Sequence, residues 1–276
     1  MAKNRSEELF EHYLDNNGYE GLWEYEAPVK GQEKKPDYIL DWQGGQVFFE
    51  VKETQAQELS QEVARFFDPY KKVRAKIDKA RPQFRSLAAH NCSLVLHNVD
   101  DPDVCVDPLH VLAAMLGNLG FSEDINLETG QVIEGSFQNI FMRADRNSGR
   151  NGGKMLNPDT GKPRNTRIGS IIIVEIYRDR AQLREAGRRI VIERESELGR
   201  GLTPPERIGI TAEVLRRHNN ICRDVVRVVV VENPFAQNAL PDGLFRGEYD
   251  ERWRWNPDTA MAMCVFRGAK VEQRRN

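Results

Sequence analysis

Pro36-Asp37-Tyr38-Ile39-Leu40, then Gln43-Gly44-Gly45-Gln46, then Val47-Phe48-Phe49-Glu50-Val51-Lys52: the reading of this stretch decides the fold. Two apolar runs flank a Gly-Gly turn, which predicts a β-hairpin with strands over 36–42 and 46–53. Side chains alternate along a strand, so Glu50 and Lys52 share one face while Val47, Phe49 and Val51 take the other. Closing the hairpin carries Asp37 next to Glu50 and Lys52. Two carboxylates and a lysine then gather at one sheet edge.

Outward from the hairpin, residues 4–17 predict an amphipathic helix with Ser6 as its N-cap, Leu9, Phe10, Tyr13 and Leu14 apolar, and Asn17-Gly18 as its end. Trp23 to Val29 alternates and predicts a strand. A long helical stretch, 56–90, carries Val73, Ile77, Ala80, Phe84 and Leu87 on one stripe, with a kink or break expected at Pro82. Ser93 to His97 predicts a buried strand, which makes the order to that point α-β-β-β-α-β. Further on, Pro108–Leu116 predicts a helix, and the β-branched runs Ser170–Tyr177 and Val225–Val231 predict interior strands. Between those runs lie a charged segment, 178–200, and a helix over 204–217. The basic, Gly- and Asn-rich residues 143–167 predict a mobile loop, and the aromatic tail from Asn233 predicts irregular structure. The element order predicts an α/β fold, with a core over 1–100 and residues 101–276 extending the sheet and adding a recognition surface packed with it.

Bulk composition narrows the class. The 276 residues are 39% apolar and 30% charged, which fits a globular chain with a real core. No apolar run is long enough to cross a bilayer, and the N-terminus lacks a signal-peptide core, so a cytoplasmic protein is expected. The four cysteines stand far apart with no Cys-x-x-Cys pair, against a zinc site or disulfide framework. Net charge is −2, yet residues 71–85 hold seven Lys or Arg against one Asp and 143–167 hold seven against two. Such local patches are the electrostatic footprint of nucleic-acid binding. Gly149 to Met155 is one residue short of a phosphate-binding P-loop and lacks its Ser or Thr.

Asp37, Glu50 and Lys52 together supply hard oxygen ligands for a divalent cation and an ammonium beside an attacking water. A helix bearing glutamate, a β-meander holding Pro-Asp…Glu-x-Lys, then a helix and a strand resembles the PD-(D/E)xK, or restriction-endonuclease-like, nuclease superfamily over residues 4–98. The resemblance implies a mixed β-sheet flanked by helices and Mg²⁺-dependent phosphodiester hydrolysis, usually of DNA, with Mn²⁺ able to substitute. It implies Asp37, Glu50 and the Val51 backbone carbonyl as metal ligands and Lys52 as the residue that activates water and offsets charge. A helix-1 acid often joins such sites. Glu7 is the residue it implies here, with Glu11 as the alternative. Glu26 is a further candidate, or an ordinary exposed strand glutamate.

Lys72, Lys76, Lys79 and Gln83 fall on one stripe of the following helix. The resemblance implies that Gln83, with Lys79, lies near the scissile phosphate. Arg150 and Lys154, with Arg143, Arg146, Arg164 and Arg167, are the loop's candidate contacts to nucleic acid, or a solvated surface loop. His97 reads as a core or edge histidine. Trp253 and Trp255 read as anchors of the tail. Three rival readings stand beside the nuclease: a non-catalytic nucleic-acid or protein-binding module on the same fold, an RNA-directed nuclease, and an ordinary hairpin. Cutting both strands of a duplex calls for two sites, so a homodimer is expected.

Overall fold

The hairpin forms on a two-residue turn in which Gln43 and Gly44 both take positive φ, 49° and 80°. That double left-handed turn matches the right-handed twist of its strands. β2 (Tyr38–Trp42) and β3 (Gly45–Thr54) pair antiparallel with Tyr38 opposite Phe49. The computed structural model describes residues 3–29, 35–56, 70–85, 87, 90–101, 104, 106–117, 119–125, 132–139, 153–157, 162–218, 222–256 and 261–271.

The first helix, α1 (Arg5–Asn16), precedes the short β1 (Trp23–Tyr25), which pairs with β2. After β3 come α2 (Lys71–Phe84), β4 (Asn91–Asn98), α3 (Pro108–Leu116) and a separate two-stranded sheet, β5 (Leu119–Ile125) with β6 (Val132–Asn139). β7 (Ile168–Asp179) is followed by α4 (Ala181–Leu198), α5 (Pro204–His218) and β8 (Arg223–Glu232). The chain closes on β9 (Glu251–Asn256) and β10 (Met261–Arg267). One eight-stranded mixed sheet, β1-β2-β3-β4-β7-β8-β9-β10, runs through both halves of the chain. β3, β4 and β7 are parallel, as are β8 and β9. The α-β-β-β-α-β order holds through β4.

Both sheet faces are covered. Phe48, Leu94, Leu96, Ile171 and Ile173 pack under Val73, Ile77 and Phe84 of α2 and under α3. On the opposite face Phe49, Val51, Val95, Ile172 and Val230 meet Phe10, Tyr13 and Leu14 of α1. The first helix stripe and the β3 alternation are therefore as expected. No helix among the described residues is long and apolar enough to cross a membrane.

Several details differ from the sequence expectation. The N-cap of α1 is Asn4, not Ser6: its side chain accepts from the N–H groups of Ser6 and Glu7, and Ser6 is buried inside the first turn. β1 stops at Tyr25 because Glu26 turns the chain with φ 46°. Pro82 does not break α2: it sits in the final turn and the helix runs on to Phe84, while residues 57–69 lie outside the described residues. The charged segment folds as α4, and the tail expected to be irregular contributes β9 and β10. Trp255 is buried in the core, with Trp253 packed against it. That is the anchoring role read from the sequence.

A buried ion–phenol contact ties α1 to this tail. Tyr13 Oη donates to Asp250 Oδ2 at 2.5 Å, and Asp250 also accepts from Gly247 N–H at 2.7 Å and Val228 N–H at 3.1 Å. Burial, then the Asp250 charge, pushes the Tyr13 phenol well above its ordinary range. Tyr13→Phe leaves the carboxylate with one donor fewer and is expected to cost about 2 kcal/mol. Urea denaturation of the two proteins measures it, and an unchanged midpoint would remove this tether from the account.

Candidate active site

Asp37 stands one residue before β2, where the chain turns off the sheet. Its Oδ2 accepts the Val51 N–H at 2.7 Å, taking the place of a strand partner. A strand residue sends its N–H and C=O to the same side. The Val51 carbonyl therefore also leaves toward β2, beyond the point where registered β2–β3 pairing ends at Tyr38–Phe49. β3 is an interior strand, so the site is not on an outer sheet edge as the sequence suggested. The early end of β2 opens it instead.

Glu50 lies on the α2 face of β3 and is fully buried. Its Oε1 accepts from both the Lys52 ammonium and the Gln83 side-chain amide. Its Oε2 is buried with no hydrogen-bond partner. Lys52 Nζ also lies 3.9 Å from Asp37 Oδ2, so the ammonium sits between the two carboxylates. Local folding explains each placement: strand alternation aims Glu50 and Lys52 together, and the last turn of α2 lowers Gln83 onto them.

Electrostatics reinforce the grouping. Burial, then the Asp37 charge, pushes the Glu50 carboxyl up to about 7 against the opposing hydrogen bonds of Lys52 and Gln83. Burial raises Asp37 too, and the Glu26 charge adds to it, while the Val51 N–H and Lys52 hold it down. Glu7 is raised by burial, and the charges of Asp37, Glu26 and Lys52 all reach it. Glu7, at the start of α1, is thus within electrostatic reach of the triplet. Its Oε2 meanwhile accepts the Asn4 N–H at 2.8 Å in a capping box, so the residue also serves the helix. Glu11 is engaged elsewhere, by Tyr38 Oη at 3.0 Å and Lys3 at 2.5 Å. Glu26 is exposed and just past β1, yet its charge raises Asp37; its positive φ has no sequence signal.

The donor set suits a hard cation. Two desolvated carboxylates with raised pKa values, a buried carboxylate oxygen without a donor and an open backbone carbonyl all gain from a divalent charge. Among the described residues no three Asp, Glu, His or Cys side chains form a metal-holding group. Asp37, Glu50 and the Val51 carbonyl would hold Mg²⁺ or Mn²⁺ with waters completing the shell. The Lys52 ammonium stands between the same carboxylates and must yield to such an ion.

The basic stripe of α2 reaches this site in part. Burial, then the charges of Lys79, Lys52 and Lys72, depresses Lys76, which therefore faces the same positive field. Lys79 is exposed. Lys72 is held by the buried Asp101, a partner that no local pattern announces. Lys154 pairs with Asp78 of α2 at 2.5 Å, and its N–H bonds the Ala114 carbonyl at 3.0 Å. Arg164 and Arg167 likewise donate to backbone carbonyls, of Gly153 and Arg85 respectively. The described parts of the expected mobile loop, 153–157 and 162–167, are thus docked, with Met155 buried in the core. Arg150, with Arg143 and Arg146, lies outside the described residues. His97 is a half-buried histidine whose Nδ1 meets Ser6 Oγ at 3.0 Å. In comparisons with known proteins, no family model, no curated protein and no solved structure matches the chain.

Proposed function

We propose that the chain is a metal-dependent nuclease of PD-(D/E)xK type that hydrolyses phosphodiester bonds in DNA. One observation carries the reading: Asp37, Glu50, Lys52 and Gln83 converge where β2 ends, around a buried Glu50 oxygen that no protein donor satisfies. A buried carboxylate in that state is costly unless an ion or solvent group meets it.

In this reading Asp37, Glu50 and the Val51 carbonyl hold Mg²⁺, and Glu7 adds charge at the rim. The bound ion supplies an acidified water and a grip on the scissile phosphate. Lys52, displaced from Glu50, turns its ammonium to the attacking water and offsets the negative charge that develops on the phosphate. Gln83 keeps Glu50 oriented from α2. Lys76 and Lys79 extend positive potential from the site along that helix, toward the polyanion's backbone.

The metal half of this reading predicts a stability response. Mn²⁺ at a hundredfold excess over its dissociation constant is expected to stabilise the protein by about 2.7 kcal/mol. Asp37→Ala is expected to remove that gain. The ion also needs Glu50 ionised, so with its carboxyl near 7 the affinity should rise from pH 6 to pH 8, most steeply below about pH 7. Calorimetric titration at both pH values measures this. Equal stabilisation of the Asp37→Ala protein would remove Asp37 from the site, and no response in either would end the metal reading.

A further inference from the structure

Between the antiparallel strands β7 and β8 the chain inserts α4 and α5, packed mainly on each other, where a short turn would suffice. Asp179 and Arg223 face each other at the base of this helical arm. Its charge is unevenly spread. The base, residues 178–189 and 213–224, carries eight arginines against four acids. The outer part, 190–207, carries three against four.

The outer arginines are matched one to one: Arg194 with Glu197, Arg200 with Glu206 and Arg207 with Glu195, each at 2.7 Å. At the base, Arg188 and Arg189 share a single carboxylate, Glu185, at 3.6 and 3.2 Å, and remain 75% and 78% exposed. Arg178 is paired with Asp224 at 3.0 Å, and Asp179 accepts from Tyr249 Oη and the Ala181 N–H. Helix energetics do not explain the pattern. Arg180 stands at the positive N-terminal end of α4, whose first turn has no acid, whereas α1 and α5 place Glu7, Glu8 and Glu206 there. An anion outside the chain would compensate that cost.

The base also stands in a defined relation to the candidate active site. Lys52 is in register with Leu96, and Leu96 with Ile173, across parallel strands. β7 then continues to Asp179, roughly 20 Å further along, with two strand spacings of about 5 Å across. The separation corresponds to about seven base pairs of duplex.

We infer that the base of the α4–α5 arm is a docking surface for the phosphate backbone of duplex DNA, beginning about seven base pairs from the scissile bond. The identity of the polymer rests on the nuclease reading; the surface itself rests on the arginine excess and its position. Arg188 and Arg189, exposed on α4 and sharing one carboxylate, are its clearest members.

The test is fluorescence anisotropy with the full chain carrying Lys52→Ala, in EDTA, on labelled duplexes of about 8 and about 24 base pairs over a range of salt. Arg188→Gln/Arg189→Gln is expected to weaken binding of the longer duplex roughly tenfold and to lower its salt slope by about 2. The shorter duplex should be affected far less, and Glu193→Gln/Glu197→Gln at the outer part should not weaken either. Circular dichroism confirms the fold of each variant, and Arg188→Lys/Arg189→Lys should restore the slope. Unchanged affinity and slope in the double Gln variant, or no duplex binding by the parent at low salt, would overturn the inference. Cleavage by the wild type with an unaltered arm variant would sink the arm alone. Arm-dependent binding without any metal-dependent cleavage would sink the nuclease reading alone.

Discussion

Glu50→Gln is expected to abolish cleavage and, in the same protein at pH 8 without metal, to raise stability. Both effects come from one carboxylate. Removing its charge deletes a proposed metal ligand, so activity should fall on the order of 10³-fold or more. Folded, metal-free protein meanwhile holds Glu50 at about 7, because burial and the Asp37 charge disfavour its anion. A carboxyl raised in the folded state binds more protons there than in the unfolded chain between its ordinary value of 4.5 and about 7. Its contribution is therefore complete below the ordinary value and is lost as pH rises through about 7. The loss at pH 8 is on the order of 3 kcal/mol. Gln keeps the shape and the contacts to Lys52 and Gln83 without the charge, so most of that loss should be recovered. Urea midpoints at pH 5 and pH 8 measure it: the variant's advantage should appear at pH 8 and shrink at pH 5. A variant less stable than wild type at pH 8 would mean that the Lys52 ion pair outweighs desolvation.

Arg252→Ala is expected to give the largest loss of stability, about 4 kcal/mol. Arg252 of β9 is 1% exposed. Its Nε donates to Glu232 at 2.5 Å, Nη2 to the Leu240 carbonyl at 2.6 Å, and Nη1 to the Pro241 and Asp242 carbonyls at 2.9 and 3.2 Å. One guanidinium thus fixes residues 240–242 against the sheet. Burial would raise Glu232, but hydrogen bonds from Arg254 and Arg252 outweigh it and hold its carboxyl below the ordinary value. Truncation takes one of the two arginines from the buried Glu232, which keeps only Arg254, and strands several buried carbonyls. Arg252→Lys should recover only part, since an ammonium lacks the planar fork. Denaturant unfolding monitored by tryptophan fluorescence tests this. A loss under about 1 kcal/mol would show that water replaces the fork without cost.

The part of the site that the sequence exposed is the part set by local rules. Alternation along β3 and the Gln43-Gly44 turn suffice to bring Asp37, Glu50 and Lys52 together, whereas helical spacing set Gln83 only on a stripe with the lysines, and its bond to Glu50 was not legible. Depth was not legible. Glu50 is fully buried because α2 covers that face, a tertiary event no strand pattern encodes. Non-local pairings were equally hidden. Lys154 looked like a loop cation until Asp78, 76 residues away in sequence, met it. β9 was missed because Arg252 and Arg254 break its apolar pattern, and Arg252 is buried only through the carbonyls that surround it. Glu26, whose charge raises Asp37, sits in a left-handed turn that nothing around it predicts.

The central claim is that Asp37, Glu50 and Lys52 form a metal-dependent phosphodiesterase site. The most direct test incubates wild type and Lys52→Ala with supercoiled plasmid, linear duplex, single-stranded DNA and RNA, each with Mg²⁺, with Mn²⁺ and with EDTA. The account predicts DNA cleavage by wild type with either metal, none in EDTA, and a loss of at least about 10²-fold in Lys52→Ala. Cleavage of RNA alone would redirect the substrate. No metal-dependent cleavage of any of them, or equal cleavage by Lys52→Ala, would contradict the account.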